Sequence, residues 1–231
     1  MGAELRQLAM ERGDRRSSLV FYRFVRGTVR LIVNPWLRLT AENITVLDRP
    51  GPTILAPVHR SHLDSALIAT LSRRRIRALG KESLFTTPGV SWVCAALGAI
   101  PVRRGQADRD ALAAARDLLE RGESMIVFPE GGRREGNEVT DLYDGAAWLS
   151  ARTGATVVPI GVAGTERALP QGARYIRRSR VGIVVGEPMT PPAGDEGKRA
   201  SRQQLRAFTD ELTERLQQAQ DAAVRRVNGA N

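Results

Sequence analysis

The residues best suited to chemistry lie in one stretch, Pro57-Val58-His59-Arg60-Ser61-His62-Leu63-Asp64. It holds both histidines of the 231-residue chain. An apolar run, Thr53 to Val58, precedes it and reads as a buried strand, and Ala66 to Leu71 follows it and reads as a helix. Both histidines therefore fall in a strand-to-helix loop. In α/β proteins that edge gathers ligands and catalytic groups, because the strands are a rigid frame and the loops are free to vary. His59 and Asp64 would sit about 140° apart on a regular helix at ~100° per residue, so they meet only if the chain bends near Ser61 or His62. In a bent loop the Asp64 carboxylate can accept a hydrogen bond from one imidazole nitrogen of His59. It then fixes the tautomer and stabilises the imidazolium as the other nitrogen takes a proton. Such a pair contains no nucleophile, so the substrate must bring its own hydroxyl or amine.

Plainer readings compete. The pair can be a simple surface hydrogen bond. His59, His62 and Asp64 can be read as metal ligands, but the helical HExxH pattern is absent and a single cysteine offers no sulfur cluster, so no metal is expected. A serine hydrolase is opposed by the lack of a GxSxG turn, since Gly122-Glu123-Ser124-Met125-Ile126 misses the second glycine.

A second constellation, Phe128-Pro129-Glu130-Gly131-Gly132-Arg133-Arg134-Glu135-Gly136, follows the strand Met125 to Phe128. A strand running into a proline, two glycines and two arginines suits an anionic group. Glycines let backbone N–H groups come close, and arginine offers a two-pronged fork to phosphate. Glu130 cannot face a phosphate directly and is expected to hold an arginine or a substrate hydroxyl. Alone, this stretch also reads as a tight turn with solvated charges.

The elements that must position these loops alternate. Strands are expected at Ile44 to Leu47, Thr53 to Val58, Ile76 to Leu79, Ala99 to Val102, Ser124 to Phe128, Thr156 to Val162 and Val181 to Val185. Helices are expected after Asp64 and at Val90 to Leu97, Asp108 to Arg121 and Gly145 to Arg152. A last helix runs from about Ser201, which with Gln204 makes a capping box, to about Val227, with Leu205, Phe208, Leu212 and Leu216 as its buried stripe. This order implies a single α/β domain with a mostly parallel, mixed sheet flanked by helices. The division expected is a mobile tail at 1–14, an amphipathic helical segment at 15–39, the α/β domain at 40–227 and a tail at 228–231. In 15–39, Phe21, Val25, Val29 and Ile32 recur at helical spacing, and so do Arg16, Arg23, Arg26 and Arg30. That pattern fits a helix lying in a membrane interface, and equally a helix packed on the domain with arginines in water.

Taken together, the two constellations resemble the glycerolipid acyltransferase family, whose members move a fatty acyl group from a thioester onto glycerol phosphate or a lysophospholipid. The family's N-H-x-S-x-x-D motif is matched by Val58-His59-Arg60-Ser61-His62-Leu63-Asp64, with Val58 where asparagine is usual. A second region is similar to Gly80-Lys81-Glu82-Ser83-Leu84 with Pro88 and Gly89, ending in Gly98-Ala99-Ile100-Pro101-Val102-Arg103-Arg104. The third motif, F-P-E-G-T-R-S, is matched by Phe128 to Arg134, with Gly132 for threonine and Arg134 for serine, and a fourth resembles Val157 to Val162. The resemblance covers roughly residues 50 to 165 and is strongest to the bacterial 1-acyl-glycerol-3-phosphate type.

The resemblance implies transfer of a fatty acyl group from an acyl thioester to the free hydroxyl of 1-acyl-glycerol 3-phosphate (lysophosphatidic acid), giving phosphatidic acid in phospholipid biosynthesis. Glycerol 3-phosphate and other lysophospholipid or lipid acceptors are the alternatives. His59 and Asp64 would be catalytic. Lys81, Arg104, Glu130, Gly131 and Arg133 would bind substrate, with the three basic residues on the acceptor phosphate. No cofactor is implied; acyl-CoA or an acyl-carrier protein is the co-substrate. Ser83 to Val102, an uncharged stretch, is a candidate wall for the acyl chain and equally ordinary core. Residues 15–39 would hold the enzyme at the membrane interface, as a peripheral protein on the cytoplasmic face.

Composition bounds the rest. The net charge of +10 calls for an anionic partner, although only Lys81 and Lys198 among the 35 basic residues are lysine. So one-sided an arginine bias can also reflect genome composition. Nucleic acid is opposed by an aromatic content of 5% and by the lack of any nucleic-acid-binding motif. A basic membrane-surface or nucleic-acid-binding protein without catalysis is the alternative of another class. Cys94 stands alone, which allows no internal disulfide and fits a reducing compartment. Residues 1–16 are polar and of mixed charge, unlike a secretory leader.

Overall fold

The computed structural model describes residues 2–102, 109–194 and 199–229. Among these, the strands β1 (Thr40–Glu42), β2 (Thr53–Pro57), β3 (Ile76–Lys81), β4 (Ala99–Val102), β5 (Ser124–Ile126), β6 (Thr156–Ala163) and β7 (Gly182–Val185) form one sheet in the order β1-β7-β6-β2-β5-β3-β4. Every pair is parallel except β6 with β7. β2 sits in the middle and is buried along its whole length, as a strand covered on both faces must be. The sheet is mixed and mostly parallel, as expected.

The helices on its faces are α1 (Gly2–Asp14), α2 (Arg16–Thr28), α3 (Asn34–Trp36), α4 (Leu63–Leu71), α5 (Pro88–Ala96), α6 (Arg109–Glu120), α7 (Gly145–Thr153), α8 (Thr165–Ala168) and α9 (Arg202–Asn228). The capping box holds: Ser201 Oγ accepts from Gln204 N at 3.2 Å while Gln204 Oε1 accepts from Ser201 N at 2.8 Å. Phe208, Leu212 and Leu216 are buried, and α9 lies so close on β6 that a Cβ on Gly161 would meet the Ala219 carbonyl oxygen at 2.1 Å. Only glycine allows that approach.

Three expectations are corrected. Ile44 to Leu47 is not a strand; Ile44–Asp48 is a 3-10 turn, and the edge strand β1 forms earlier, at Thr40–Glu42. A short apolar run carries no period that separates the two, and pairing with β7 decides. Residues 2–14 are a helix rather than a loose tail. Ala9 packs with Phe85 and Ala95, and Asp14 binds the Arg77 guanidinium, which also reaches Glu123 at 2.7 Å. Burial works against the charge on Arg77, but the hydrogen bonds and attraction of Glu123 and Asp14 outweigh it and hold its pKa above the usual arginine value. Residues 15–39 are not one regular helix either: α2 passes through a π-helical turn, Val29–Val33, into α3. One side packs inward through Ser18, Tyr22, Val29 and Val33. The other exposes Val20, Phe24, Leu31, Ile32 and Trp36 between the exposed Arg16, Arg23 and Arg30. Arg26 leaves the basic row and donates to the Ser72 and Arg73 carbonyls at 3.0 and 3.1 Å. Among the described residues no helix is long and apolar enough to cross a membrane.

Candidate active site

Parallel order brings the carboxyl ends of β2 and β5 side by side. The loop after β2 carries His59, and the loop after β5 carries Phe128 to Arg134, so the sheet order itself joins two stretches that are far apart in sequence.

The dyad forms by the bend expected at Ser61 and His62. His59 Nδ1 lies 3.0 Å from Asp64 Oδ2. The same oxygen accepts the backbone N–H groups of Arg60 and Ser61, each at 2.8 Å. Asp64 stands in the first turn of α4, where a carboxylate is favoured by the unpaired N–H groups and the helix dipole. It therefore shapes the loop and holds the imidazole with one atom. Asp64 is fully buried and His59 is 4% exposed. The Phe128 ring stacks on the imidazole, with centroids 3.8 Å apart and an interplanar angle of 21°. Nε2 is left without a hydrogen-bond partner. With Nδ1 bound to a carboxylate, Nε2 is the basic nitrogen, buried and unsatisfied, which is the state a general base needs before its substrate arrives.

Ser61 is not a nucleophile for this base, because its hydroxyl donates to the Leu169 carbonyl at 3.1 Å. Val58, where the resemblance leads one to expect asparagine, is a buried side chain whose backbone N–H bonds to Ile160 O at 3.1 Å.

Beneath the dyad loop lies an ion pair that the spacing of residues did not disclose. Arg60 Nη1 reaches both Glu130 oxygens, at 2.7 and 2.8 Å, and Glu130 Oε2 also accepts the His59 backbone N–H at 2.6 Å. Arg60 goes on to the Gly136 and Glu138 carbonyls, and Arg134 N returns to the His59 carbonyl at 2.9 Å. Glu130 thus holds an arginine, one of the two expected roles. It faces the dyad loop, not open space, and positions His59 through its backbone.

Gly131 has φ +68°, and a Cβ there would meet the Tyr143 ring at 2.6 Å, so its glycine is a matter of backbone shape. A Cβ on Gly132 meets nothing within 4 Å, so a side chain can begin there without a clash. Arg133 is half-buried in this loop. Lys81 is exposed at the carboxyl end of β3. Register through β5 sets it level with Val58, on the same edge as the dyad. Arg104 lies outside the described residues.

The fold and this site define a class: an α/β protein with a buried histidine–aspartate pair at the carboxyl edge of its sheet. The family follows from comparison. The Acyltransferase family model matches residues 38–163, more than half of the chain, and the chain belongs to that family. A chloroplast 1-acyl-sn-glycerol-3-phosphate acyltransferase of Arabidopsis thaliana is 27% identical over 161 residues, covering 68% of this chain and 45% of the relative. A 1-acyl-sn-glycerol-3-phosphate acyltransferase of Chlamydomonas reinhardtii is 30% identical over 153 residues, covering 65% of this chain and 45% of the relative. The chain thus spans about half the length of these curated relatives. The crystal structure of a 1-acyl-sn-glycerophosphate acyltransferase from Thermotoga maritima shares the fold, with a TM-score of 0.70 and 23% identity over 90% of this chain and 82% of that one.

Proposed function

We propose that this protein transfers a fatty acyl group from an acyl thioester to the free hydroxyl of 1-acyl-glycerol 3-phosphate, forming phosphatidic acid. One observation carries the chemistry: His59 Nε2 is buried without a partner while Nδ1 is fixed by Asp64. The family and the relatives' names supply the substrate class.

The acceptor hydroxyl gives its proton to Nε2 as its oxygen attacks the thioester carbonyl. Asp64 stabilises the imidazolium that forms. The tetrahedral intermediate collapses, the carbon–sulfur bond breaks, and the proton on Nε2 passes to the departing thiolate. No covalent acyl-enzyme is required, because the thioester is already activated. Lys81 and Arg133 hold the acceptor phosphate, with Arg104 as the third cation. Coenzyme A or a carrier protein presents the donor.

The enzyme works as a peripheral protein. Phe24 and Leu31 are 69% and 77% exposed, and with Val20, Ile32 and Trp36 they give the N-terminal helices an outer apolar face edged by arginines. Phe21 contacts Trp92, with ring centroids 5.0 Å apart, which carries that face onto α5, where Val90, Trp92 and Val93 are exposed. A face of this extent suits the boundary between acyl chains and headgroups, where both substrates are found.

The test is acyl transfer from a long-chain acyl-CoA to lysophosphatidic acid, with glycerol 3-phosphate in parallel, by wild type and His59→Ala. Transfer to the lysophosphatidate that falls by about 10²–10⁴-fold in the variant is expected. Activity on glycerol 3-phosphate alone would move the acceptor. Activity untouched by His59→Ala would remove the mechanism.

A further inference from the structure

A second basic site lies on the same edge of the sheet, on the other side of the dyad from Lys81. Arg38, Arg178, Ser179 and Arg180 line a shallow cavity of about 300 Å³ that is more open than enclosed. Arg38 leads into β1, and 178–180 lead into β7. β7 runs antiparallel to β6, with Gly182 paired to Ala163. The amino ends of β7 and β1 therefore lie beside the carboxyl ends of β6 and β2. At ~4.8 Å per strand, β7 is roughly 10 Å and β1 roughly 15 Å along the edge from β2.

The cavity is also tied to the dyad loop. Ser61 Oγ binds the Leu169 carbonyl, Arg177 N binds the Ala168 carbonyl at 2.8 Å, and Ser179 Oγ binds the Gly164 carbonyl at 3.4 Å. Segment 164–180 thus runs from the catalytic loop to the arginines. At the cavity's rim the Arg178 guanidinium lies 5.9 Å from the centroid of the exposed Trp36 ring. Trp36 ends the exposed apolar row of the N-terminal helices.

We propose that the cavity lined by Arg38, Arg178, Ser179 and Arg180 binds the phosphate of an anionic glycerolipid in the bilayer, separate from the acceptor phosphate at Lys81 and Arg133. The Arg38 and Arg178 guanidinium groups supply the forked donors that a phosphate ester takes. The cavity is open and the exposed Trp36 stands at its rim, as suits a headgroup site when the lipid's chains stay in the membrane. Trp36, with the Arg178 guanidinium near its ring, marks the depth of the headgroups. One lipid held here sets the dyad at a fixed height and tilt over the bilayer. The proposal rests on the membrane-facing reading of the N-terminal helices.

The experiment is vesicle flotation of the full chain at 0.1 M salt, with phosphatidylcholine alone and with about 30% phosphatidylglycerol. It compares wild type, Arg38→Gln/Arg178→Gln, and a control that loses the same charge from α9, Arg202→Gln/Arg225→Gln. Wild type binds the anionic vesicles more tightly. The cavity pair loses about 10- to 30-fold in affinity for them and little for neutral vesicles, while the control loses under about 3-fold. Equal losses in the two pairs, or none in the cavity pair, overturn the proposal. If the membrane-facing reading itself fails, wild type binds neither vesicle, which is a separable result. Inorganic phosphate is titrated into the protein without vesicles in parallel. Saturable binding abolished in the cavity pair, with vesicle affinity unchanged between wild type and that pair, assigns the cavity to free phosphate and overturns the lipid. Arg38→Lys/Arg178→Lys, with charge kept and forks lost, guards against misfolding of the glutamine pair; a partial loss supports the site, and wild-type affinity overturns it.

Discussion

Replacing Glu130 by glutamine tests whether the buried ion pair under the dyad loop is what fixes His59. The side chains of Arg60 and Glu130 are 1% and 0% exposed, and the carboxylate accepts twice from Arg60 and once from the His59 backbone. Glutamine keeps the volume, so no cavity opens. It keeps one acceptor oxygen, but its NH₂ must face either the guanidinium or the His59 N–H, donor against donor. The Arg60 charge stays buried without its counterion. Removing one partner of a buried pair costs about 3–5 kcal/mol. In a domain of this size each kcal/mol moves Tm by about 2–4 °C, so the loss expected is roughly 6–20 °C. Activity should fall as well, because a catalytic group displaced by ~1 Å costs about 10²-fold. The assay is thermal melting of wild type, Glu130→Gln, Arg60→Met and the double variant, with acyl transfer measured on each below its transition. The double variant should melt above the sum of the single losses, with a coupling of about 1–3 kcal/mol. A Glu130→Gln protein that melts within about 2 °C of wild type, or a coupling under about 0.5 kcal/mol, would falsify the positioning role.

Four further variants and one pH series probe other parts. Asp64→Asn keeps an oxygen for the Arg60 and Ser61 N–H groups but removes the charge facing the imidazolium; a charge-assisted bond of about 1.5–3 kcal/mol predicts a fall in kcat of at least 10- to 100-fold with little change in acceptor KM. Gly131→Ala should lose about 1–3 kcal/mol from the left-handed backbone and the Tyr143 contact together, and Tyr143→Ala beside it should restore only the contact's share in urea melts. Leu31→Ser/Ile32→Ser should weaken binding to neutral vesicles at least tenfold while the melting temperature holds, since both side chains are exposed. Burial raises the pKa of the half-buried Cys94 thiol above its ordinary 9.0, which favours the neutral form. Its alkylation should therefore be slower than that of an exposed thiol at pH 7.5 and should still be climbing at pH 9.0; a rate that levels off below that pH contradicts the shift.

Much of the site could be read from local pattern. A buried strand followed by His59 to Asp64 and a helix placed the dyad in a loop, and the five-residue spacing required the bend that Ser61 and His62 provide. The glycines and arginines after β5 marked the second loop. The Arg60–Glu130 pair was not legible, because its partners are 70 residues apart and each alone reads as a solvated charge. The cavity at Arg38 and Arg178 was hidden for the same reason, among the chain's many arginines. The register of the N-terminal segment was only half legible. The apolar residues of 15–39 cover two faces, and helical spacing does not say which face meets the domain.

The sequence by itself determined the chemistry available: a histidine with an aspartate in bending range, a strand ending in Phe-Pro-Glu-Gly-Gly-Arg, a strong ordering of strands and helices, and a basic chain with apolar residues near its start. These are properties of neighbours along the chain, and side-chain period, turn residues and charge report them. Only the tertiary structure decided that β5 lies beside β2, which closes Glu130 onto Arg60 and lays Phe128 on His59. It also decided that β7 turns back along β6, which carries Arg178 and Arg180 to the edge that holds the dyad. Strand order is set by which faces bury best across the whole domain, and no local stretch of residues contains that sum.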